Sequence, residues 1–302
     1  MSNIIKTLQS TGTAAVILMT SACQQSSNVS PSAAATSPIS EGQPMPKISV
    51  QLWSVNEQIK QDFKGTLSAL AAMGFEGVEF AGYFGPFKDD PDGLSAYLAQ
   101  LGLEVSGAHV SLRHFKPAVF DQTVEFYQAL GTPMLIVPNA KRAWDPQKIN
   151  EFISDLNTIA GKLEGSDMGF GFHNYARELT PYRDPTFWDH VADSTSAEFI
   201  LQLDVGWATY AGVDAAQLVR KYPGRTLTTH YKAKYSDDVT GKQPFIGQDT
   251  TDWPAVIRAN IEVGGTQWLV VEQEEYPDNI TQLQAVSRSK QGLDAILGSM
   301  RF

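Results

Sequence analysis

A single (β/α)8 TIM barrel, preceded by a secretion segment and a flexible tether, is predicted by three features of this sequence. Short β-rich runs alternate eight times with helical patterns. They fill roughly 250 residues, the usual size of that barrel. The helical patterns repeatedly end in Gly followed within one or two residues by a strand, as at Met73-Gly74-Phe75, Leu101-Gly102-Leu103, Leu130-Gly131-Thr132 and Val263-Gly264-Gly265. Glycine accepts the left-handed conformation that closes a helix, so this repeat marks αβ loops.

The elements follow in order. Residues 1–23 carry Lys6, an apolar stretch from Ala14 to Met19, and then Thr20-Ser21-Ala22-Cys23. A basic start, a short apolar core and small residues before a cleavage point make a secretory signal. Small residues directly before a cysteine resemble a bacterial lipobox, with Thr20 where leucine is usual; that resemblance implies lipidation of Cys23. Residues 24–46 are mostly Ser, Ala, Pro, Gln and Asn; such a segment cannot bury enough apolar surface to offset its ordering entropy and reads as a tether. The expectation is an envelope protein, held to the membrane through its N-terminal lipid and facing the periplasm.

The barrel is expected over 47–302. Its strands are read at Ile48–Trp53, Gly77–Phe80, Val105–Val110, Met134–Val137, Gly169–His173, Ile200–Asp204, Leu227–Tyr231 and Trp268–Glu272. Between them, Phe63, Leu67, Leu70 and Ala71 fall at helical spacing, and the clearest helical patterns run over Ile149–Leu163 and Trp253–Val263. A last helix is read over Ile280–Leu297. The competing architecture is a doubly wound sheet, but no Gly-rich phosphate fingerprint follows the first strand.

Composition narrows the function. The 302 residues carry 23 Lys+Arg against 33 Asp+Glu, a net charge of −10, and 42% are hydrophobic. That is a globular composition without the clustered basic charge of a phosphate-backbone binder, so no nucleic-acid partner is expected. One cysteine excludes an intramolecular disulfide and a cysteine-based zinc framework.

In such barrels the chemistry sits where strands end and βα loops begin. Those positions hold Gln51, Glu79, His109, Asn139, His173 with Asn174, Asp204, His230 with Lys232, and Glu272 with Gln273. A barrel interior built of Val, Ile and Leu has no use for buried carboxylates, which are costly without partners. His173, Asp204, His230 and Glu272 close four successive strands, and two imidazoles with two carboxylates suit a divalent ion such as Mn²⁺, Co²⁺, Zn²⁺ or Mg²⁺.

The stretches Gly74-Phe75-Glu76-Gly77-Val78-Glu79-Phe80, Ser106-Gly107-Ala108-His109, Gly171-Phe172-His173-Asn174, Leu203-Asp204-Val205-Gly206-Trp207, His230-Tyr231-Lys232 and Val270-Val271-Glu272-Gln273 resemble the sugar phosphate isomerase/epimerase family, from about Ile48 onward. The resemblance implies a xylose isomerase-like barrel with a metal held by His173, Asp204, His230 and Glu272. Many members have Glu at the strand-five position, where it is half of an acid/base pair; His173 stands there in this chain. Others read His-Asn-His, against His173-Asn174-Tyr175 here. Glu178 matches an acidic residue that often follows a turn later.

A metal beside a carboxylate suits removal of a proton alpha to a carbonyl, the shared first step of isomerisation, epimerisation and β-elimination from a 3-keto glycoside. Glu272, His173 and His109 are the expected proton-transfer groups, with Lys232 stabilising an enediolate oxygen. Glu79, Trp53, Asn174, Trp207 and Glu178 are the expected substrate-binding residues, because aromatic faces stack on sugars and polar groups bond to hydroxyls. Other classes fit less well. A metal-dependent endonuclease needs several metal-binding histidines and a basic groove, whereas this chain has five histidines in all and a net charge of −10. A glycoside hydrolase built on Glu79 and Glu272 leaves His173 and His230 unexplained. A carbohydrate-binding lipoprotein without turnover is the remaining alternative.

Overall fold

The computed structural model describes residues 44–236 and 244–301. The readings placed on 1–23, Cys23 included, and on 24–43 lie outside the described residues. Eight parallel strands close into a barrel in chain order. They are β1 (Lys47–Gln51), β2 (Gly77–Phe80), β3 (Glu104–His109), β4 (Met134–Val137), β5 (Gly169–His173), β6 (Ile200–Asp204), β7 (Thr228–Tyr231) and β8 (Trp268–Val271). The predicted (β/α)8 barrel is therefore the fold. Among the described residues no helix is long and apolar enough to cross a membrane.

The two-residue period of a strand sorts each β-run into an inner and an outer set. Val50, Val78, Ala108, Leu135, Val137, Phe172, Leu203, Tyr231, Leu269 and Val271 belong to the large core shared with the helices. Residues of the opposite parity, Met134, Ile136, Ile200, Trp268 and Val270, form a second cluster that fills the barrel. Gly77 matters to this filling, because a Cβ there would meet the Trp268 ring at 2.8 Å. Continuing the inner parity toward the strand ends gives Gln51, Glu79, His109, His173, Asp204, His230 and Glu272. Strand register then sets neighbours side by side: Gln51 pairs with Glu79, His173 with Gln202, and Asp204 with His230.

Several boundaries move for local reasons. β1 stops at Gln51 because its side-chain Oε1 accepts the Trp53 backbone N–H at 3.1 Å and starts a 3-10 turn over Leu52–Val55. The helix from Trp253 is regular only to Ala259 and continues as a π-helical turn, Asn260–Gly264. The buried Asn260 side chain there donates to the Tyr231 hydroxyl at 2.8 Å and accepts from Thr229. The final helix spans Gln282–Ser299 and begins with a capping box on Thr281. Gly74, Gly102 and Gly131 all have positive φ, the conformation their place at helix ends requires.

Candidate active site

The polar ends of the strands form one connected network. Glu79, on β2, is fully buried. Its Oε1 accepts from Gln51 Nε2 at 2.6 Å and from His230 Nε2 at 2.7 Å, and its Oε2 accepts from Gln202 Nε2 at 2.7 Å. His109 Nε2 lies 3.2 Å from the same Oε1. Both oxygens are thus engaged by protein groups, through which Glu79 organises Gln51, His230 and Gln202. Burial opposes its charge, but His230 and His109 outweigh that and hold the carboxyl down at about 2.

His230 is gripped from both sides, with Nε2 on Glu79 and Nδ1 on Glu272 Oε2, each at 2.7 Å. Burial disfavours its charge, yet the two carboxylates raise it to about 10, so the ring is an imidazolium at neutral pH. His109 behaves oppositely. Burial is the largest influence and lowers it to about 4 despite Glu79, helped by the charge on His230. Gln202 must turn its amide nitrogen to Glu79, so its Oε1 accepts from His109 Nε2–H at 2.7 Å. The His109 Nδ1 is consequently a lone pair. The His109 ring stacks on His230 at 5.0 Å and meets His173 edge-on at 5.1 Å.

The remaining residues hold a carboxylate–lysine group in place. Asp204 ends β6; its Oδ1 accepts the Trp207 N–H at 2.9 Å and caps the short helix Val205–Tyr210. Asn174 Oδ1 accepts the Asp204 N–H at 2.8 Å, tying the ends of β5 and β6 together. Lys232 Nζ lies 2.8 Å from Asp204 Oδ2, 2.9 Å from Glu272 Oε2 and 2.9 Å from Glu274 Oε2. Burial works against this ammonium, but the three carboxylates raise its pKa well above the lysine range. Burial likewise opposes charge on Asp204 and Glu272, and Lys232 is the foremost reason both are nevertheless lowered. The loop after β8 that carries Glu272 and Glu274 is pinned where Gln273 N–H donates to Ser54 Oγ at 2.9 Å and Ser289 Oγ donates to Gln273 Oε1 at 2.7 Å.

Four of the predicted residues have the makings of a metal site. One donor atom from each of His173, Asp204, His230 and Glu272 lies within 4.8 Å of the others. The Pro138 carbonyl, 3.1 Å from His173 Nδ1, can only accept, so Nδ1 carries the proton. Nε2 faces Asp204 Oδ2, 3.3 Å away, and a cation would sit between them in place of any proton there. His230 has the matching support, a carboxylate on its far nitrogen. Histidines that ligate metals are regularly oriented by a carbonyl or carboxylate in this way. An ion would replace the proton between His230 Nδ1 and Glu272, as metal uptake commonly does. The donor set fits a divalent ion.

The other predicted residues are more dispersed. The Trp207 ring lies 5.1 Å from Tyr175, with Lys232 at 5.4 Å and Lys234 at 4.5 Å from its centroid. Trp53 is half exposed beyond β1. Glu178 is fully buried in the turn Arg177–Leu179; Tyr175 N–H donates to its Oε2 at 3.0 Å, and its Oε1 has no hydrogen-bond partner. Burial pushes it up to about 7. Sequence reading passed over Gln202 and Glu274. The signal for Gln202 was its inner parity two residues before Asp204. Surface clefts such as the one lined by Met168, Gly169 and Phe199 contain none of these residues.

Fold and site together define a (β/α)8 barrel protein with a buried ionisable cluster at the C-terminal ends of its strands. Residues 67–296 match the family described as xylose isomerase-like TIM barrel, and the chain belongs to that family. It is similar to the inosose dehydratase of Salmonella agona strain SL483, 21% identical over 272 residues covering 78% of this chain and 89% of the relative. A sugar phosphate isomerase/epimerase from Parabacteroides distasonis superposes with a TM-score of 0.70 at 19% identity, over 85% of this chain and 98% of the other. The IOLI protein with a bound zinc atom superposes with a TM-score of 0.67 at 14% identity, over 85% and 99%.

Proposed function

We propose that this protein is a divalent-metal-dependent enzyme that removes a proton alpha to a carbonyl of a sugar, leading to isomerisation or epimerisation. The observation that carries the reading is the paired orientation of His173 and His230, each with one nitrogen anchored by Pro138 or Glu79 and the other directed at Asp204 or Glu272. A divalent ion bound there would polarise the carbonyl and favour the enediolate. His109 is the proton acceptor, because Gln202 fixes its tautomer with Nδ1 as a lone pair. The ion would supply the positive charge beside the developing oxyanion, with His230 as one of its neutral ligands and Lys232 paired to Glu274 nearby. Trp207 and Tyr175 provide the apolar face for a sugar ring.

A second reading, β-elimination from a keto sugar or keto glycoside, is favoured by His173. A reversible shuttle between two glutamates is not available at that position, whereas elimination needs one base for the C–H proton and an acid for the leaving oxygen. The similarity to proteins named inosose dehydratase supports the same direction. We further propose lipid attachment at Cys23 and an envelope location, which the sequence Thr20-Ser21-Ala22-Cys23 supports; mass spectrometry of the mature N-terminus tests it.

Metal analysis of the wild type against Asp204→Ala and His230→Ala tests the site. Near-stoichiometric divalent metal in the wild type, lost in both variants, is the expected result. Keto sugars incubated with the enzyme in deuterated water then separate the readings: label alpha to the carbonyl without loss of a leaving group marks isomerisation or epimerisation, and an enone product marks elimination. Absence of metal under metal-replete conditions would overturn the proposed mechanism.

A further inference from the structure

We infer that Lys232 is an internal cation that holds the metal position closed, and that an incoming ion displaces its ammonium from Asp204 and Glu272 onto Glu274. The inference rests on the metal reading above and concerns what the site does before an ion arrives. Lys232 Nζ contacts Asp204 Oδ2 at 2.8 Å and Glu272 Oε2 at 2.9 Å, the two carboxylates of the four-residue donor cluster. Those contacts use lone pairs that ligation at about 2.0–2.2 Å also requires. A divalent ion and an ammonium held against the same two buried carboxylates would also repel strongly, since the surroundings screen poorly.

The third partner makes displacement feasible without leaving the ammonium unpaired. Glu274 Oε2 is 2.9 Å from Nζ, lies outside the donor cluster, and its side chain is 24% exposed while Lys232 is 3% exposed. The Trp207 ring, 5.4 Å from Nζ, offers a further surface for the charge. Without an ion, Asp204 and Glu272 are buried beside one another with the His230 imidazolium as the other cation against them, and Lys232 supplies the second positive charge that the pair needs. The barrel can therefore fold without metal, at the cost of weaker metal binding.

Titration of the purified full chain with Mn²⁺ by calorimetry, together with thermal unfolding in EDTA, tests this. Lys232→Met is expected to bind Mn²⁺ at least tenfold more tightly than the wild type and to unfold at a lower temperature in EDTA, with saturating Mn²⁺ closing the gap. Glu274→Gln, which leaves the buried contacts of Lys232 intact, is expected to bind Mn²⁺ several-fold more weakly, an effect abolished in the Lys232→Met background. Unchanged or weaker binding by Lys232→Met overturns the inference while the metal reading stands; should that variant fail to fold, unchanged binding by Glu274→Gln overturns it. If neither the wild type nor any variant binds Mn²⁺, Co²⁺ or Zn²⁺, the metal reading fails and the inference with it.

Discussion

Gln202 on β6 donates to Glu79 on β2 at 2.7 Å, joining strands that lie across the barrel from each other and are 123 residues apart in sequence. The same amide nitrogen reaches Thr228 Oγ1 at 3.1 Å, and the amide oxygen accepts a hydrogen bond from His109 Nε2–H. One neutral side chain thus fixes the orientation of a buried carboxylate and the tautomer of the candidate base.

Gln202→Leu leaves Glu79 Oε2 and His109 Nε2 without this partner. Losing a hydrogen bond to a buried charged group costs about 1–3 kcal/mol, so urea unfolding at pH 7 should show a loss of that size. Stability within 0.5 kcal/mol of the wild type would mean that water or a rearranged side chain replaces the amide.

Glu178 gives the clearest pH dependence. Its folded value near 7 lies above the 4.5 of an unperturbed Glu, so the folded state keeps a proton that the unfolded state releases. Its contribution is fully present below pH 4.5 and is lost as pH rises through 7, by an amount on the order of 3 kcal/mol. Glu178→Gln removes that dependence. The difference in unfolding free energy between Glu178→Gln and wild type should therefore move in favour of the variant from pH 4.5 to 8; a flat difference would contradict the burial argument.

Asp204 has two separable duties. Asparagine can still accept the Trp207 N–H and cap the following helix, but it lacks the charge that a divalent ion requires. Asp204→Asn should lose metal affinity by a hundredfold or more while keeping the cap. Asp204→Ala should lose both, with a further ~1 kcal/mol of stability from the missing cap. Equal stability of the two variants in denaturant would show that the cap is not what Oδ1 contributes.

The filling of the barrel makes a purely mechanical prediction. Gly77→Ala places a methyl group against the Trp268 ring and the Glu104 carbonyl, 3.0 Å away. Overpacking of this kind costs about 1–3 kcal/mol. Trp268→Leu in the same chain should recover part of the loss, measurable as a non-additive double-mutant cycle.

The fold was legible because both periodicities point the same way. Outer residues such as Val50, Phe172 and Val271 are apolar at every second position, and glycines close the intervening helices. The strand-end residues were legible as a set, since His173, Asp204, His230 and Glu272 interrupt runs that packing alone would make apolar. Their partnerships were not. Whether Glu79 meets His230 depends on barrel closure through β1 and β8, which brings β2 within reach of β7 and leaves no local trace in either strand. Gln202 reads as an ordinary polar residue until the parity of β6 is known. The end of β1 was misjudged for a smaller reason: Trp53 is a good strand residue, but the Gln51 side chain diverts the backbone into a turn.

The stacked side chains of Met134, Ile136, Ile200, Trp268 and Val270 fill the barrel beneath the ionisable layer and seal it from the opposite end. If the proposed reaction takes place there, substrate, leaving group and bulk water share the one side on which the strands end. On the proposed mechanism, a proton captured by His109 would compete with that traffic for its way out, so transfer of the same hydrogen back to product should increase as bulkier substrates obstruct the opening.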